Sequence, residues 1–318
     1  MIREIKYAAE EIFENWADRG WWRQRFIARV IGPTLKQIHR PESVDYMSRD
    51  WDNLIILDAC RADMFEEVFD TSDFDDYERV VSPGASSPEW MDATFGNKEF
   101  PDTVYVTGNP WISKVAPDAF HDLINVWVDN YGVPEDEIQD SITLGDVETT
   151  DRPTSHPQDV SQAAREVHEK YPNKRLIIHF FQPHGPVCGW SDGTPRKDID
   201  DSLHPGGIQD GHSTRGEVWE AYKENLGYGF HYAAKLSQDI DGKTVFTADH
   251  GELFGDKLTP FPVRGYAHPT GVHHPELLTV PWAVRCSDRR EIITGETSDK
   301  SVDESEVNER LRNLGYKT

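Results

Sequence analysis

Short apolar runs alternate with longer amphipathic stretches along most of the chain. The apolar runs lie at residues 53 to 57, 103 to 107, 175 to 181, 244 to 247 and 280 to 284. Apolar side chains at helical spacing mark residues 159 to 170, 217 to 238 and about 303 to 314. Strands that alternate with helices favour a mainly parallel central sheet with helices on both faces. A chain of 318 residues can form this α/β architecture as a single large domain.

The amino-terminal segment has a different pattern. Residues 4 to 31 are predicted to be helical, and residues 1 to 40 form an extension in front of a large domain of residues 41 to 318. Aromatic side chains such as Trp21, Trp22 and Phe26 are interleaved there with arginines such as Arg23 and Arg25. An amphipathic helix of this kind can lie in a bilayer interface. More often it packs on its own domain, which is the interpretation we favour.

Targeting segments and cysteine usage indicate the compartment in which a protein is located. The sequence has no run of eighteen apolar residues and no signal-peptide core, so neither a membrane span nor secretion is expected. Its three cysteines are widely spaced, which argues against a disulfide framework and against a structural zinc cluster. We therefore expect a cytoplasmic protein.

The charge balance is strongly acidic. The chain has 57 acidic and 33 basic residues, for a net charge of −24. Such a surface repels nucleic acid, which is therefore excluded as a partner. The acidic residues are spread over many turns, as in residues 73 to 76 and 198 to 201, and this composition is typical of a halophilic surface that stays soluble at high salt.

Two of the apolar runs end in groups that bind cations. Asp58 follows residues 53 to 57, and Asp249 and His250 follow residues 244 to 247. In open α/β sheets, ligands bind at the carboxyl ends of the strands. Gly251 allows the turn that adjacent Asp and His side chains need in order to reach one ion. Alone, an Asp-His-Gly triplet is better explained by a surface turn, so the interpretation requires ligands from other strands.

Other polar turns supply candidates. Residues 175 to 181 are followed by Gln-Pro-His-Gly-Pro at residues 182 to 186, where the prolines stop the strand and place His184 on a rigid turn. His268 lies in a further polar segment. Asn109 ends another strand and either lines the pocket or serves the turn.

A serine-rich loop lies along the chain between the strand that ends at Asp58 and the turn that carries His184. Residues 82 to 90 have the sequence Ser-Pro-Gly-Ala-Ser-Ser-Pro-Glu-Trp, which predicts a loop that enters a helix. Ser87 suits the N-cap, Pro88 the first helical position and Glu89 the positive end of the helix dipole. A serine hydroxyl at this point faces an anion-binding helix terminus.

Taken in order, these residues resemble the alkaline phosphatase superfamily, in particular its sulfatase, lipoteichoic acid synthase and phosphoethanolamine transferase branches. The matching pieces are the strand-end Asp58, the serine loop, the His184 turn, the Asp-His-Gly-Glu box at residues 249 to 252 and the late Val-Pro at residues 280 and 281. The resemblance spans roughly residues 50 to 285. Each piece is weak alone, and their colinear order carries the argument.

The resemblance implies a nucleophile and a reaction type. When the loop is aligned with the sulfatase motif, Ser86 takes the nucleophile position, with Ser87 as its rival. The arginine that signals conversion to formylglycine falls on Trp90, so that modification is not expected. An unmodified serine points to phosphoryl rather than sulfuryl transfer.

The resemblance also implies a metal site. Asp58, Asp249, His250 and the Ser86 oxygen would hold one divalent ion. These mixed oxygen and nitrogen donors suit manganese, magnesium or zinc better than calcium. The spacing of a complete second site is missing near the His184 turn, so a second ion would be weakly held at most.

The remaining site residues are also taken from the family. His184 is expected to contact the substrate phosphate or a second metal and to protonate the leaving group. His268 is the first choice for the histidine before the late Val-Pro, His274 is the second, and His273 competes with both. Arg61 is either a bidentate phosphate ligand or a partner of helix carboxylates such as Glu66.

The predicted activity follows from these assignments. We expect a metal-dependent hydrolase or transferase that acts on phosphate esters through a serine nucleophile. Its substrate would be a phosphorylated or sulfated small molecule, glycan or lipid headgroup. Two alternatives stay open, a sulfatase and a non-catalytic binding protein derived from the same fold.

Overall fold

The computed structural model describes residues 16–17, 19–39, 41–127, 155–185, 187, 190–191, 194–195, 202–295 and 304–313. The strands are β1 (Asn53–Leu57), β2 (Asp76–Val81), β3 (Phe100–Thr107), β4 (Phe120–Asn125), β5 (Arg175–Phe180), β6 (Trp190–Ser191), β7 (Thr194–Pro195), β8 (Thr244–Thr247), β9 (Leu253–Lys257), β10 (Arg264–Ala267) and β11 (Thr279–Arg285). The α-helices are α1 (Arg19–Phe26), α2 (Gly32–Ile38), α3 (Ala62–Val68), α4 (Ser87–Phe95), α5 (Ile112–Val115), α6 (Pro157–Lys170), α7 (Pro205–Asp210), α8 (Arg215–Asp239), α9 (Pro275–Leu278) and α10 (Glu304–Asn313). A π-helical turn (Ile27–Ile31) joins α1 to α2, and a 3-10 turn covers Thr71–Asp73.

A seven-stranded sheet forms the centre of the molecule, in the order β2-β11-β8-β1-β5-β3-β4. Strands β8, β1, β5, β3 and β4 pair in parallel, whereas β11 runs antiparallel to both of its neighbours. Every residue of β1 is buried, as expected of a strand covered on both faces. The predicted mainly parallel sheet is therefore confirmed.

Helices cover both faces of this sheet. On one face Phe230 of α8 packs on Phe246 of β8, with ring centroids 5.1 Å apart. On the other face Phe95 of α4 packs on Tyr105 of β3, with centroids 5.7 Å apart. Successive side chains of a strand point to opposite faces, so the two layers bury separate sets of strand residues. The result is the predicted three-layer α/β domain.

The sequence pattern missed both edge strands of the sheet. In β2, with the sequence Asp-Tyr-Glu-Arg-Val-Val, only Val80 is fully buried. In β4 polar and apolar residues are mixed. An edge strand has a neighbour on one side only, so it needs less apolar surface and gives a weaker signal. The segment of residues 186 to 216 contains α7 and the short strands β6 and β7, and part of it lies outside the described residues.

The amino-terminal extension packs on the domain through one stripe. Ile27, Ile31 and Leu35 are buried in a cluster with side chains such as Leu253 and Leu277. Helical structure continues to Ile38, beyond the predicted end, and residues 1 to 15 lie outside the described part of the chain. The division at residue 40 stays a prediction. Among the described residues, no helix is both long and apolar enough to cross a membrane.

Glu89 fixes the helix that carries the serine loop. Its Oε1 lies 3.1 Å from Lys36 Nζ and 2.9 Å from His273 Nε2. Its Oε2 accepts the backbone N–H groups of Ala85 at 3.2 Å and Gly271 at 3.1 Å. Burial alone would raise the pKa of Glu89, but the hydrogen bonds to its partners lower it to about 2. One carboxylate thus joins α4 to the amino-terminal extension and to the loop before α9.

Replacing Glu89 with Gln is expected to destabilise the fold by about 1 to 3 kcal/mol at neutral pH, since hydrogen bonds to a charged group are lost. The folded-state pKa is depressed, so the stabilisation is complete above about pH 4.5 and is lost as the pH falls towards 2. The difference between variant and wild type should shrink over that interval. Thermal unfolding followed by circular dichroism at a series of pH values measures it.

The exposed Glu99 provides the matched control. Glu99→Gln should leave the unfolding temperature nearly unchanged across the same series. A Glu89→Gln deficit that stayed constant down to pH 2 would contradict the role given to the Glu89 carboxylate.

Candidate functional site

The carboxyl ends of four neighbouring strands bring the predicted polar residues together. Strands β8, β1, β5 and β3 are adjacent in the sheet. Asp249 and His250 follow β8, Asp58 follows β1, His184 follows β5 and Asn109 follows β3. Parallel pairing makes all four strands end at the same edge, which is the edge where open sheets bind ligands.

Two buried carboxylates form the centre of the site. One oxygen of Asp249, Oδ1, accepts the backbone N–H groups of Ala59 at 3.2 Å and His250 at 2.9 Å. One oxygen of Asp58, Oδ2, accepts the amide of Asn109 at 2.6 Å. The other two oxygens, Asp58 Oδ1 and Asp249 Oδ2, are buried without a hydrogen-bond partner in the described part of the chain. Each carboxylate is therefore held in place by one oxygen while the other stays unsatisfied.

His250 faces these two oxygens. Its Nδ1 lies 2.7 Å from the carbonyl oxygen of Gly251, which can only accept, so Nδ1 carries the proton. The lone pair is then on Nε2, which lies 3.6 Å from Asp58 Oδ1 and 3.5 Å from Asp249 Oδ2. A carbonyl that fixes the tautomer in this way is typical of metal-binding histidines.

His179, a residue of β5, closes the site from within the sheet. Its Nδ1 lies 2.8 Å from the hydroxyl of Tyr105. Its Nε2 lies 3.4 Å from Asp58 Oδ2 and 3.9 Å from Asp249 Oδ2, and it has no hydrogen-bond partner among the described residues. The candidate donor atoms of Asp58, His179 and Asp249 all lie within 4.8 Å of one another.

These donors fit a divalent cation. Burial raises the pKa of Asp58, but His179 and the other nearby imidazoles hold it below its usual range, so the carboxyl group is ionised. Two buried carboxylates with unsatisfied oxygens are costly in a dry site unless a positive charge is placed between them. Carboxylate oxygens beside imidazole nitrogens form a donor set that suits such an ion.

The two serines of the loop point in different directions. Ser86 is the N-cap of α4, and its Oγ lies 3.0 Å from the hydroxyl of Thr270. The Oγ of Ser87 lies 3.2 Å from His250 Nε2 and accepts the amide of Asn109 at 3.1 Å. The helix begins one residue earlier than predicted, so Ser87 occupies its first turn and contacts His250 and Asn109, the two side chains that adjoin the carboxylates.

A second group of polar side chains lies beside the first. His268 Nδ1 lies 3.0 Å from Glu252 Oε2, and the donor atoms of His184, Glu252 and His268 lie within 4.8 Å of one another. The His268 ring is 4.6 Å from that of His250 and 4.9 Å from that of His184. The structure thus brings His184 and His268 to the site, as the sequence predicted.

Opposite pKa shifts distinguish the two histidines. Burial lowers the pKa of His184, and its Nδ1 donates to the carbonyl of Gly185 at 2.6 Å. Burial also acts to lower the pKa of His268, but the charge of Glu252 outweighs it and raises the value above its usual range. His268 is therefore the one of the pair that stays protonated to the higher pH.

Arg61 lies outside this cluster. Its guanidinium donates to Asp63 at 2.8 and 2.6 Å, to Asp256 at 3.2 Å, to the carbonyl of Glu252 at 3.1 Å and to Glu276. These contacts use the donors on all three of its nitrogens, so the structure does not bring it to a phosphate as predicted. Among the carboxylates of α3, Arg61 pairs with Asp63, whereas Glu66 pairs with Arg79.

The two competing histidines also have structural roles. His274 caps α9 by accepting the N–H of Glu276 at 3.2 Å, and its Nε2 donates to the carbonyl of Lys257 at 3.1 Å. His273 pairs with Glu89. Neither ring is placed in the cluster, which leaves His268 as the histidine of this segment that reaches it.

Sequence reasoning missed three residues of the site. His179 was treated only as part of a strand, although a histidine inside an otherwise apolar buried run needs a partner. Glu252 was seen as part of the Asp-His-Gly-Glu box but received no role. Tyr105 gave no signal, because a tyrosine in a buried strand is ordinary core.

Comparison with known proteins supports the fold. No family model and no curated protein matches the sequence. Among solved structures, the integral membrane lipooligosaccharide phosphoethanolamine transferase A of Neisseria meningitidis is similar, with a TM-score of 0.50 and 13% identity over 90% of this chain and 59% of that chain. The soluble domain of the same transferase is similar with a TM-score of 0.47 and 14% identity, over 73% of this chain and 75% of that chain. A lipoteichoic acid synthase from Listeria monocytogenes has a TM-score of 0.39 and 12% identity, over 83% of this chain and 73% of that chain.

At these identities the likeness concerns the fold alone. The likeness in fold is argued from the integral membrane transferase alone, because its TM-score reaches 0.50. The chain spans 59% of the length of that protein. The predicted α/β fold with a mainly parallel central sheet is confirmed, and it is similar to the fold of the integral membrane transferase. The assignment of individual site residues stays a prediction.

Replacing Asp249 with Asn is expected to abolish tight metal binding, since the amide keeps the size of the side chain but removes its charge. The affinity for Mn²⁺ or Zn²⁺ should fall at least ~100-fold, as losses of this order already follow from changes around metal ligands. Isothermal titration calorimetry on metal-stripped protein measures the affinity and the number of ions.

Asp239→Asn, at the exposed end of α8, is the control and should bind like the wild type. Unchanged affinity in Asp249→Asn would show that the carboxylate pair does not hold the ion. The same titration reports whether a second, weaker ion binds.

Proposed function

We propose that this chain, which has the fold of the alkaline phosphatase superfamily, is a metal-dependent enzyme that hydrolyses or transfers phosphate esters. The observation that carries the proposal is the position of the Ser87 hydroxyl. It lies in the first turn of α4, between His250 Nε2 and the Asn109 amide, and beside two buried carboxylates.

Four side chains would hold the ion: Asp58 through Oδ1, Asp249 through Oδ2, His250 through Nε2 and Ser87 through Oγ. His179 Nε2 is a fifth donor of this chain, and a proton on its Nδ1 would then be donated to Tyr105. Manganese, magnesium or zinc suits this set better than calcium, which prefers six to eight oxygens. When bound, the ion lowers the pKa of the serine hydroxyl and polarises a phosphoryl oxygen.

Ser87 is the better nucleophile of the two serines. With the proton of His250 on Nδ1, the Ser87 hydroxyl donates to Nε2, so Ser87 must lose that proton before both atoms can face one cation. Its oxygen would then attack phosphorus and form a phosphoserine. The backbone N–H groups at the start of α4 would stabilise the phosphoryl oxygens. Ser86 has no comparable neighbours, since it pairs with Thr270.

Asn109 would serve as a positioning residue. Its side-chain amide donates to both Asp58 and Ser87, and its Oδ1 accepts the backbone N–H of Trp111 at 2.9 Å. The amide is therefore fixed at both ends. It sets the distance between the nucleophile and the first carboxylate.

His268 would protonate the leaving group, supported by Glu252. The charge of Glu252 keeps His268 protonated to a higher pH, which an acid needs. His184, with a lowered pKa, would contact the substrate phosphate through a neutral ring or take part in a weak second ion site. Transfer of the phosphoryl group to water gives a hydrolase, and transfer to an alcohol gives a transferase.

The substrate class is proposed from chemistry and from the neighbours. The similar structures include a lipooligosaccharide phosphoethanolamine transferase and a lipoteichoic acid synthase, so a phosphorylated glycan or lipid headgroup is the first class to test. A sulfatase is less well supported. Trp90, which takes the place of the sulfatase arginine, is fully buried and packs on Tyr46 and Phe95.

Ser87→Ala is expected to lower kcat at least ~10³-fold on phosphate esters, as loss of a nucleophile does, whereas Ser86→Ala should cost less than ~10-fold. Purified protein would be assayed at high salt with Mn²⁺, Mg²⁺ or Zn²⁺. The substrates are bis-para-nitrophenyl phosphate, para-nitrophenyl phosphate and para-nitrophenyl sulfate.

If Ser86→Ala lowered kcat much more than Ser87→Ala did, Ser86 would be the nucleophile. Turnover of the sulfate ester alone would favour the sulfatase, and metal binding without turnover of any ester would favour the non-catalytic alternative. Metal content of Ser87→Ala should be measured in parallel, because the serine oxygen is also a proposed ligand.

His268→Ala is expected to act selectively on poor leaving groups. An ester that releases para-nitrophenol needs little protonation and should lose less than ~10-fold in rate. An alkyl ester should lose about 10² to 10⁴-fold, which is the usual contribution of a general acid. Rates measured on a series of leaving groups give this comparison.

His274→Ala, which alters a helix cap outside the cluster, is the matched control and should affect all esters alike. Equal losses on good and poor leaving groups in His268→Ala would argue against proton donation by His268.

A further inference from the structure

In the described part of the chain, the amino-terminal helices carry a second apolar stripe that is exposed. Ile27, Ile31 and Leu35 form the inner stripe and are buried. On a different face Trp22, Phe26 and Val30 follow one another at steps of four residues and are 45%, 45% and 43% exposed. A helix that only packs on its own domain needs a single apolar stripe.

The exposed apolar residues of the protein are concentrated in this segment. Six large apolar side chains are exposed in the described part of the chain, and all but Ile293 lie between Trp16 and Ile38. Scattered exposed residues need no explanation, but a contiguous set marks a surface that contacts something else.

The same segment has a charge opposite to that of the chain. Residues 19 to 40 contain six basic residues and no acidic residue, whereas the whole chain carries a net charge of −24. Arg29 is exposed beside the outer stripe. A basic helix with tryptophan and phenylalanine on its outer face has the composition of a segment that lies in the headgroup region of a bilayer.

We propose that the outer stripe of residues 22 to 30 docks on the surface of an anionic lipid bilayer. Trp22 and Phe26 would enter the headgroup boundary, and the arginines would pair with lipid phosphates. The proposal concerns binding and does not depend on the catalytic function proposed above.

A second copy of this chain fits the segment less well. In a dimer whose two outer stripes packed on each other, two basic helices would lie side by side, and their like charges would repel. Contact with the acidic remainder would satisfy the arginines but would offer Trp22 and Phe26 little apolar surface, since Ile293 is the exposed large apolar residue found elsewhere in the described ranges. An anionic bilayer provides both negative charge for the arginines and an apolar region that Trp22 and Phe26 can enter.

The helix is also joined to the candidate site. Arg23 donates to the carbonyl of Arg264, and its guanidinium lies 5.1 Å from the ring centroid of Tyr266 in β10. Strand β10 leads directly to His268. Docking of the helix would therefore hold the loop that carries His268 near the lipid headgroups.

Co-sedimentation of the full chain with vesicles tests the proposal. Wild type should bind vesicles of phosphatidylcholine and phosphatidylglycerol at least ~10-fold more tightly than vesicles of phosphatidylcholine alone. The preference should weaken at molar salt, because the Debye length falls from ~8 Å to ~3 Å. Trp22→Ser with Phe26→Ser, and separately Arg29→Glu, should each weaken binding to the anionic vesicles at least ~10-fold.

Matched controls are available on other exposed surfaces. Ile293→Ser and Lys235→Glu change an exposed apolar and an exposed basic residue elsewhere, and both should bind as the wild type does. Ser87→Ala should also bind normally, so failure of the catalytic proposal would not be mistaken for failure of this one. Circular dichroism verifies folding, and the comparison of two vesicle types uses the unaltered chain.

Three outcomes would overturn the proposal. The first is an absence of binding by wild type to anionic vesicles. The second is equal binding by wild type and the stripe variants. The third is a wild-type dimer in analytical ultracentrifugation that Trp22→Ser with Phe26→Ser converts to monomer, which would assign the stripe to a second copy of the chain.

Discussion

The candidate site depends on two carboxylates that are buried side by side. Asp58 and Asp249 are both fully buried, and their candidate donor atoms lie within 4.8 Å of each other and of His179. If both carry a charge, two like charges about 4 Å apart repel by roughly 4 kcal/mol even at a moderate effective dielectric constant of about 20. The surrounding groups offset this cost through backbone N–H groups, an amide and imidazoles. A divalent cation would offset it most completely, since its charge balances both carboxylates at once.

Parallel pairing makes this arrangement possible. Strand β1 lies between β8 and β5, so the residues that follow all three strands meet without any need for long loops. Helix α4, which carries Ser87, is set against them by the Glu89 carboxylate, which binds partners on the amino-terminal extension and on the loop before α9. The geometry of the site thus depends on elements far apart in sequence, and the amino-terminal extension is one of them.

The sequence predicted the central sheet and the carboxylates at its strand ends because both leave strong local signals. A run of apolar residues that stops at Asp58 or at Asp249 marks a buried strand and its end. The choice between Ser86 and Ser87 depends on the rotation of one helical turn, which is set by tertiary contacts with Thr270 and His250 and is invisible in the pattern. His179 was missed for a related reason, since its role comes from a neighbouring strand. The edge strands were missed because they bury few side chains.

For the proposed activity on anionic esters, a chain with a net charge of −24 must create a local positive field. Arg61, the arginine next to the site, is neutralised by surrounding carboxylates and cannot supply it. What remains near Ser87 is the start of α4, the imidazoles and whatever cation the two carboxylates hold. The helix terminus offers only about half a unit of charge. The acidic surface and the engaged arginine therefore make the proposed ion the main source of attraction for a phosphate, as well as the counter-charge of Asp58 and Asp249.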